Sequence, residues 1–238
     1  MMIKFLVAGD LHGHLDMLEE VIRQHPEIDF VLQVGDFGAY FDDGTSAKMP
    51  QHRRHPSEFP QYLSGEKEFS KPVIFIKGNH EGFAYLKQLE EAHLREGLVS
   101  VYGRGGNLFY LPNGRVVNFE GVRIASLGGN FSPVYFTKHS SDPFRFRHFT
   151  TYEVDALMGK KDIDILLTHD AGPNIVPSKH IMPGQSEQLS NLVRTMQPTY
   201  WAIGHYHMYY EAMLGRTKIY GLNAIHYDGQ SYVILEKQ

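Results

Sequence analysis

The segment VAGDLHGHLDML, residues 7–18, carries carboxylate and imidazole groups at every second position from residue 10 to residue 16. These residues are Asp10, His12, His14 and Asp16. Both groups bind divalent metal ions, and residues two apart in an extended chain point to the same side, so Asp10 and His12 can face one site. Four such groups exceed what one ion could use from so short a segment. The pattern indicates metal chemistry and leaves open which of the four residues take part.

The same residue types recur where later apolar runs end, so that five predicted strand ends finish in metal-ligand chemistry. They are Asp36 in GDFG, Asn79 and His80 in GNHE, His169 in LTHD, and His205 and His207 in GHYH. Each motif alone is typical of a turn or of a structural histidine, but their common position favours one shared site. Glycines before four of the motifs let the chain turn sharply without a Cβ in the way. These are Gly9, Gly35, Gly78 and Gly204.

The elements that position these residues are short apolar runs rich in strand-forming residues. The runs cover residues 3–9, 30–35, 72–78, 163–170 and 200–207, with further strands predicted at 217–223 and 231–237. Helical patterns follow the first and third runs. Residues 108–129 contain the turns PNG and EG between short alternating runs, which predict antiparallel hairpins. The sequence therefore favours an α/β fold in which two packed sheets are flanked by helices.

The ordered motifs D-x-H, G-D-x-G, G-N-H-E, a single histidine and G-H-x-H resemble the calcineurin-like metallophosphoesterase superfamily. The resemblance implies one domain over residues 1–238, built as a four-layer α/β/β/α sandwich with two mixed sheets. It also implies two metal ions at the strand ends. The ligands implied for one ion are Asp10, His12, Asp36 and His207. Those implied for the other are Asp36, Asn79, His169 and His205.

The activity implied by this resemblance is hydrolysis of a phosphodiester or a phosphomonoester. Two divalent cations that share a water molecule lower its pKa and supply a bridging hydroxide for in-line attack on phosphorus. Asp36 is the bridging carboxylate in this scheme, and Asn79 also contacts the substrate. His80 lies beside the substrate phosphate and donates a proton to the leaving oxygen. Imidazole and oxygen ligands without sulfur predict Mn²⁺, with Fe or Zn²⁺ as alternatives.

The motifs of the sequence are less specific for one branch of the superfamily. GDLHGHLDML and GNHE are also similar to the serine/threonine protein phosphatases, which carry an Asp-Arg pair where this chain has GDFGAYF. GNHE, LLTHDAGP and GVRIASLGGNFSP are closer to the RNA lariat debranching branch, whose first motif commonly has cysteine at the position of Asp10. A non-catalytic protein-binding scaffold is the alternative from another class. A scaffold should have lost ligands or His80, whereas each of these positions is filled here.

Two long segments, residues 39–56 and 130–150, interrupt the rhythm of strands and helices and are candidates for substrate contact. Arg145 and Arg147 alternate with phenylalanine, which suits a nucleotide or short RNA or, equally, an amphipathic strand. His14, near a predicted helix start, has either a phosphate contact or a plain capping or surface role, whereas Asp16 complements the helix dipole. Further candidate contacts are Arg53 and Arg54, which also suit a solvated loop, and Asn130, Tyr40 and His226.

The composition of the chain excludes several kinds of site and several classes of protein. The chain has 238 residues, a net charge of −4, 14 histidines and no cysteine, which excludes disulfides and thiolate metal sites. The net charge gives no basic footprint for extended duplex nucleic acid or an anionic membrane. The apolar run at the start is too short for a signal peptide, and no later run approaches the length of a membrane span. The sequence therefore predicts a cytoplasmic protein that acts on a phosphate ester.

Overall fold

The computed structural model of the protein describes residues 2–93, 97–101, 106–138, 142–177 and 186–237. Within these residues the chain forms twelve strands and five α-helices. The strands are β1 (Ile3–Ala8), β2 (Phe30–Gln33), β3 (Val73–Phe75), β4 (Val99–Ser100), β5 (Leu108–Tyr110), β6 (Val116–Phe119), β7 (Val122–Leu127), β8 (Ile165–Thr168), β9 (Tyr200–Ile203), β10 (Tyr210–Leu214), β11 (Thr217–Gly221) and β12 (Tyr232–Lys237). The helices are α1 (Leu15–Gln24), α2 (Phe59–Ser64), α3 (Phe83–Ala92), α4 (Thr151–Leu157) and α5 (Glu187–Met196).

The strands form two mixed sheets of six strands each. The first has the order β12-β1-β2-β3-β5-β4 and the second β10-β11-β9-β8-β7-β6. In each sheet four neighbouring parallel strands lie between antiparallel edge strands. Because the central strands are parallel, their carboxyl ends collect at one edge of each sheet, where α/β proteins place their ligands.

Alternation along the buried strands produces the layers. On β1, Phe5 and Val7 pack between the two sheets, whereas Leu6 and Ala8 pack outward beneath α1. The outer face of the first sheet is covered by apolar residues of α1, α2 and α3, and that of the second by those of α4 and α5. Strands buried on both faces read as continuous apolar runs, as the sequence showed. The predicted α/β fold with two mixed sheets and flanking helices is confirmed.

One local prediction was wrong, and the amphipathic strand that the sequence left open around Arg145 and Arg147 does not form. Residues 108–129 hold one hairpin: β5 runs parallel to β3 in the first sheet, and only β6 and β7 pair as a hairpin, in the second sheet. The hairpin turn uses Glu120 and Gly121, both with positive φ, whereas the PNG turn carries the chain from one sheet to the other. Residues 143–147 form a 3₁₀ helix, because the Asp142 carboxylate accepts the Phe144 N–H and Pro143 fixes the first turn.

The terminal strands of the described chain are neighbours, since β12 lies antiparallel to β1 along six residue pairs. Among the residues that the structure describes, no helix has the length and apolar character needed to cross a membrane.

Candidate metal centre

The two sheets bring their ligand-type residues together where their parallel strands end. Asp10 follows β1 by two residues, and Asp36 follows β2 by three. From the second sheet, His169 comes directly after β8, and His205 and His207 follow β9. The site therefore straddles the junction of the sheets, and each sheet supplies a part that the other lacks.

One group of ligand atoms comes from Asp10, His12 and His207. Asp10 Oδ2 lies 3.0 Å from His207 Nε2 and 3.8 Å from His12 Nε2, and the two imidazole nitrogens are themselves 3.0 Å apart. All three atoms lie within 4.8 Å of one another, which is the spacing of ligands around one ion.

A second group comes from Asp10, Asp36 and His169. His169 Nε2 is 3.5 Å from Asp36 Oδ1 and 2.9 Å from the Asn79 side-chain oxygen. Nδ1 of the same ring lies 2.9 Å from the Val34 carbonyl, which can only accept, so Nδ1 carries the proton and Nε2 faces the site. This backbone contact sets the imidazole in the tautomer that a metal ligand needs.

Both carboxylates touch both groups. Asp36 Oδ2 is 3.8 Å from His12 Nδ1 in the first group, and Asp10 Oδ1 is 4.0 Å from His169 Nδ1 in the second. His205 contributes its backbone, whose N–H donates to Asp10 at 3.0 Å, and its ring lies 5.0 Å from that of His169.

The backbone at the site is held in an uncommon conformation. His12, Asp36, His205 and His207 all have positive φ, between 48° and 72°. A positive φ costs energy in residues other than glycine, and this conformation persists where the surrounding structure fixes the backbone. The sequence analysis attributed the sharp turns at the strand ends to the glycines alone. The ligand residues themselves adopt much of the turn conformation.

The glycines have a second role that the sequence did not reveal. Of the four glycines before the motifs, only Gly35 has positive φ. Gly78 is needed for close approach, because a Cβ there would collide with the backbone and carboxylate of Asp36. A side chain at residue 78 would therefore push Asp36 away from the other ligands.

Charge at the site is dominated by two buried carboxylates. Asp10 and Asp36 are at most 1% exposed. Burial raises the pKa of each, but the imidazoles more than compensate, chiefly His169, and both pKa values lie below their ordinary range. Burial by itself lowers the pKa of the His169 imidazole, but the negative charges of Asp36 and Asp10 raise this pKa to about 10. Without a metal, His169 is thus the cation that balances the pair.

Burial disfavours the protonated form of two further rings, those of His12 and His205. Burial lowers the pKa of His12 to about 4, against the attraction of Asp36 and Asp10. Burial and the neighbouring His169 also lower the pKa of His205. Nδ1 of His12 is buried and, among the described residues, has no hydrogen-bond partner. Neutral imidazoles, ionised carboxylates and an unpartnered ring nitrogen form a donor set that fits divalent cations.

Glu81 organises the loops that carry Asp36 and Asn79. Its buried carboxylate accepts four backbone N–H groups, at 2.8 Å from Phe37, 3.0 Å from Gly38, 2.8 Å from Ala39 and 3.2 Å from Gly78. Burial and the Asp36 carboxylate raise the pKa of Glu81 to about 8. The backbone N–H groups oppose this rise in pKa, and the four of them occupy both oxygens and offer no acceptor for a carboxyl proton. The hydrogen bonds are therefore those of an ionised carboxylate, and we assign Glu81 as an acceptor on this geometry. Sequence reasoning missed this residue, although a glutamate directly after Asn79 and His80 was a usable signal.

His80 is oriented from two sides. Its backbone N–H donates to Asp36 Oδ1 at 2.7 Å, and its Nδ1 lies 3.0 Å from the carbonyl of Ala47. Because a carbonyl only accepts, Nδ1 carries a proton and Nε2 is the nitrogen left for a partner at the site. The His80 and His12 rings are 6.1 Å apart.

Comparison with known proteins decides the family. The family model described as calcineurin-like phosphoesterase matches residues 3–209. The chain belongs to this family. It is 29% identical to the lariat debranching enzyme of Danio rerio, over 89% of this chain and 41% of that one, and 28% identical to the lariat debranching enzyme of Saccharomyces cerevisiae, over 91% and 60%. The chain thus spans roughly half the length of these curated relatives.

A solved structure shares the fold of this phosphoesterase-family chain. The crystal structure of TT1561 of Thermus thermophilus superimposes with a TM-score of 0.62 and 15% identity, covering 100% of this chain and 99% of that one. At this identity the likeness supports the two-sheet fold alone.

In this member of the phosphoesterase family, His14 lies at the rim of the site within a stack of rings. Its ring is 3.9 Å from that of His55 and 4.8 Å from that of His226, and His226 is 5.5 Å from His12. His14 is the N-cap residue of α1, although its side chain makes no capping hydrogen bond there. Burial lowers the pKa of His14 to about 4 and that of His226 to about 3, so both rings are neutral.

Asp16 lies in the first turn of α1, as predicted, and its carboxylate contacts Lys67 at 2.5 Å and the Tyr62 hydroxyl at 3.1 Å. Arg53 and Arg54 are exposed, in line with the solvated-loop interpretation of HRRH. His55 of the same motif nevertheless packs at the site rim, which no pattern in the sequence indicated.

Arg145 and Arg147, the arginines of the second long segment, differ in exposure and in their contacts. Arg145 is exposed, lies 3.7 Å from Asp142 and stacks 4.6 Å from the Tyr135 ring. Arg147 is partly buried, and its Nε has no hydrogen-bond partner among the described residues. Burial lowers the pKa of Arg147, and the negative charge of Asp36 partly offsets this effect.

Two further candidate contacts have different outcomes. Tyr40 was wrongly placed among the substrate contacts: it is fully buried, and its hydroxyl donates to the carbonyl of His12 at 2.8 Å. Tyr40 therefore supports a ligand loop from behind. Asn130 has a buried side-chain oxygen without a hydrogen-bond partner in the described part of the chain.

Proposed function

We propose that the protein is a divalent-metal-dependent phosphoesterase that hydrolyses a phosphodiester bond in a nucleotide or a short RNA. The observation that carries this proposal is the convergence of Asp10, Asp36, His12, His169 and His207 at the junction of the sheets, with two overlapping sets of ligand atoms. The oriented imidazole of His80 beside Asp36 adds a proton donor to that arrangement.

We assign the cations to two sets of residues, in agreement with the family pattern. Asp10, His12, Asp36 and His207 would hold one cation. Asp36, Asn79, His169 and His205 would hold the other. Bound there, two divalent cations would lower the pKa of a water molecule and neutralise charge on the phosphoryl oxygens. Mn²⁺ is the expected metal on ligand chemistry, with Fe or Zn²⁺ as alternatives.

Residues of the chain itself position the phosphate ester and supply the proton. The Ala47 carbonyl keeps a proton on Nδ1 of His80 and fixes the ring, so that Nε2, when protonated, is the nitrogen that donates to the departing oxygen. Arg147 has an unpartnered buried Nε and is the substrate contact that the geometry favours. Arg145 is committed to Asp142 and Tyr135, which makes it the weaker candidate. Asn79 and His14 complete the proposed contacts.

The names of the relatives support an RNA phosphodiester as the substrate. Lariat debranching enzymes match this chain over about nine-tenths of its length. The proposal extends to a 2′,5′-linked diester as the first substrate to examine. A single domain over residues 1–238 and a cytoplasmic location stay predictions.

The test is hydrolysis by metal-reconstituted protein of an aryl monoester, an aryl diester, cyclic nucleotides, dinucleotide polyphosphates and 2′,5′-linked RNA. His80→Ala should lower kcat on the best substrate by a factor of about 10² to 10⁴ with unchanged metal content, because general acid catalysis contributes that much. His25→Ala is the matched control, since His25 lies at the opposite end of β2 and contacts Tyr232. Protein that holds two metals and is inert on the whole panel would refute the proposal.

A further inference from the structure

An open pocket of about 570 Å³ lies beside His80. Three segments form it: the loop after Asp36, the first turn of α3, and the 3₁₀ helix Pro143–Arg147. The side chains that matter below are Phe41, Lys48, Phe83, Tyr85 and Phe144. None of these five residues takes part in the proposed metal chemistry.

The walls of the pocket are aromatic. Phe41 meets Tyr85 edge-on at 5.4 Å, and Phe83 meets Phe144 edge-on at 6.0 Å. Phe41 is nevertheless 54% exposed, which is unusual for a phenyl ring held in ring contacts. Part of its apolar surface therefore faces the pocket and water, and a flat ring placed there would cover it.

Two segments that line the pocket adjoin His80 or its hydrogen-bond partner along the chain. Gly82, in its lining, stands two residues after His80. Ala47, whose carbonyl holds His80 Nδ1, lies between the lining residues Ser46 and Lys48. The Arg147 guanidinium lies 4.8 Å from the Phe144 ring of this wall, and the charge of Asp36 acts on it. Chain segments that adjoin His80 and Ala47 therefore form part of the pocket wall.

Charge around the pocket selects the kind of group that fits. Lys48 Nζ lies 3.8 Å over the Phe144 ring, which places one cation against the aromatic wall. Asp42 and Asp142 also line the pocket, and their carboxylates accept backbone N–H groups of Ser46 and Phe144. Two carboxylates at the rim disfavour a phosphate inside the pocket, but they can accept hydrogen bonds from an amino group. An uncharged, flat heteroaromatic ring suits these walls.

We propose that this pocket binds a nucleobase, namely that of the nucleoside whose oxygen leaves when the phosphodiester is cleaved. The inference rests on the proposed function, because His80 is the donor to the leaving oxygen and the pocket lies on the His80 side of the metal centre. Phe41 and Tyr85 present the stacking surface, and Arg147 takes the scissile phosphate between the pocket and Asp36. The pocket thereby makes the enzyme prefer nucleotide diesters over small diesters with the same reacting atoms.

Binding is tested with metal-loaded His80→Ala protein, in which turnover is slowed. The probes are a 2′,5′-linked diadenylate and two counterparts, each lacking the adenine of one nucleoside, and the readout is Kd by calorimetry. Loss of one of the two adenines should weaken binding about tenfold, because stacking of a base on an aromatic side chain contributes on that order. In the double variant His80→Ala/Phe41→Ala, the full dinucleotide should bind about tenfold more weakly, as it does when the adenine is removed. The counterpart that lacks the base bound in the pocket should keep its affinity.

Two further variants separate stacking from folding. Phe41→Trp keeps an aromatic face and should retain the preference for the base, whereas Phe41→Leu keeps apolar bulk and should lose most of it. Met213→Ala is the matched control, because Met213 is an exposed apolar residue, 62% exposed, on β10 of the other sheet. Equal Kd values for all three probes would overturn the proposal. So would a Phe41→Ala effect that is the same size for every probe.

Kinetics on otherwise wild-type protein distinguish failure of this inference from failure of the proposed function. Product analysis shows which oxygen leaves, and removal of the adenine on that nucleoside should raise KM about tenfold with little change in kcat. Hydrolysis of all three probes with equal KM would refute the pocket and leave the proposed function standing. Absence of hydrolysis with base-dependent binding intact would refute the proposed function and leave a nucleobase site.

Discussion

Replacement of Glu81 probes how the ligand loops are held. In Glu81→Ala, the four backbone N–H groups of residues 37, 38, 39 and 78 lose their acceptor inside a buried space. An unsatisfied buried donor costs about 1–3 kcal/mol, so four of them should lower the free energy of unfolding by about 4 kcal/mol even at the lower end. Since a domain is stable by only about 5–15 kcal/mol, this loss should be large enough to measure easily.

The glutamine variant gives a graded result. The N–H groups of Phe37 and Gly78 bond to one carboxylate oxygen of Glu81, and those of Gly38 and Ala39 bond to the other. An amide keeps one oxygen as acceptor and turns an NH₂ group towards the other pair of donors. Glu81→Gln should therefore lose about half the stabilisation, roughly 2 kcal/mol. Both variants should also bind metal more weakly, because the same loops carry Asp36 and Asn79.

The assay is urea denaturation of metal-free protein, followed by metal titration of the folded variants. Glu66→Ala is the control, since Glu66 is exposed and close in sequence to α2. A loss below about 1 kcal/mol in Glu81→Ala would show that water replaces the carboxylate and would refute the reasoning. Wild-type stability of Glu81→Gln would show instead that the native carboxyl is protonated.

Two other predictions concern histidines. The pKa of His169 is raised to about 10, so its protonated form stabilises the metal-free protein fully below about pH 6.5, and this contribution is lost as the pH rises through about 10. The free energy of unfolding of chelator-treated protein, measured in urea, should therefore fall over this range relative to His169→Asn, and a parallel pH profile of the two proteins would contradict the assignment. His14→Ala should leave metal stoichiometry unchanged by elemental analysis, because the His14 ring packs against the rings of His55 and His226 at the rim; loss of a metal would show that His14 belongs to the ligand set.

Residue type and spacing were enough to find the centre of the site. The motif aspartates and histidines lie at the ends of strands whose apolar runs are visible in the sequence, and parallel strands must deliver their carboxyl ends to one edge. This is why Asp10, Asp36 and His169 could be grouped although 159 positions separate the first from the last. The two-sheet α/β fold followed from the number of strands relative to helices.

Contacts between distant segments could not be predicted from the sequence. The stacking of His14 on His55 and His226, the burial of Tyr40 behind His12, and the aromatic pocket beside His80 each depend on loops that have no periodic pattern. The 3₁₀ helix at residues 143–147 arose from one Asp cap and one proline, which overrode an alternation of phenylalanine and arginine that suits a strand.

What the sequence determined by itself is the chemistry available: carboxylates and imidazoles, no thiolates, and the strand ends that carry them. What only the tertiary structure decided is which nitrogen and oxygen atoms meet, which ring nitrogens keep their protons, and which side chains surround them. The physical reason is that strand formation depends on local patterns of apolar residues, whereas tautomers, pKa values and pocket walls depend on neighbours that the two sheets bring together. Val34, Ala47 and Glu81 show this most clearly, since each sets the state of a motif residue through a backbone or carboxylate contact.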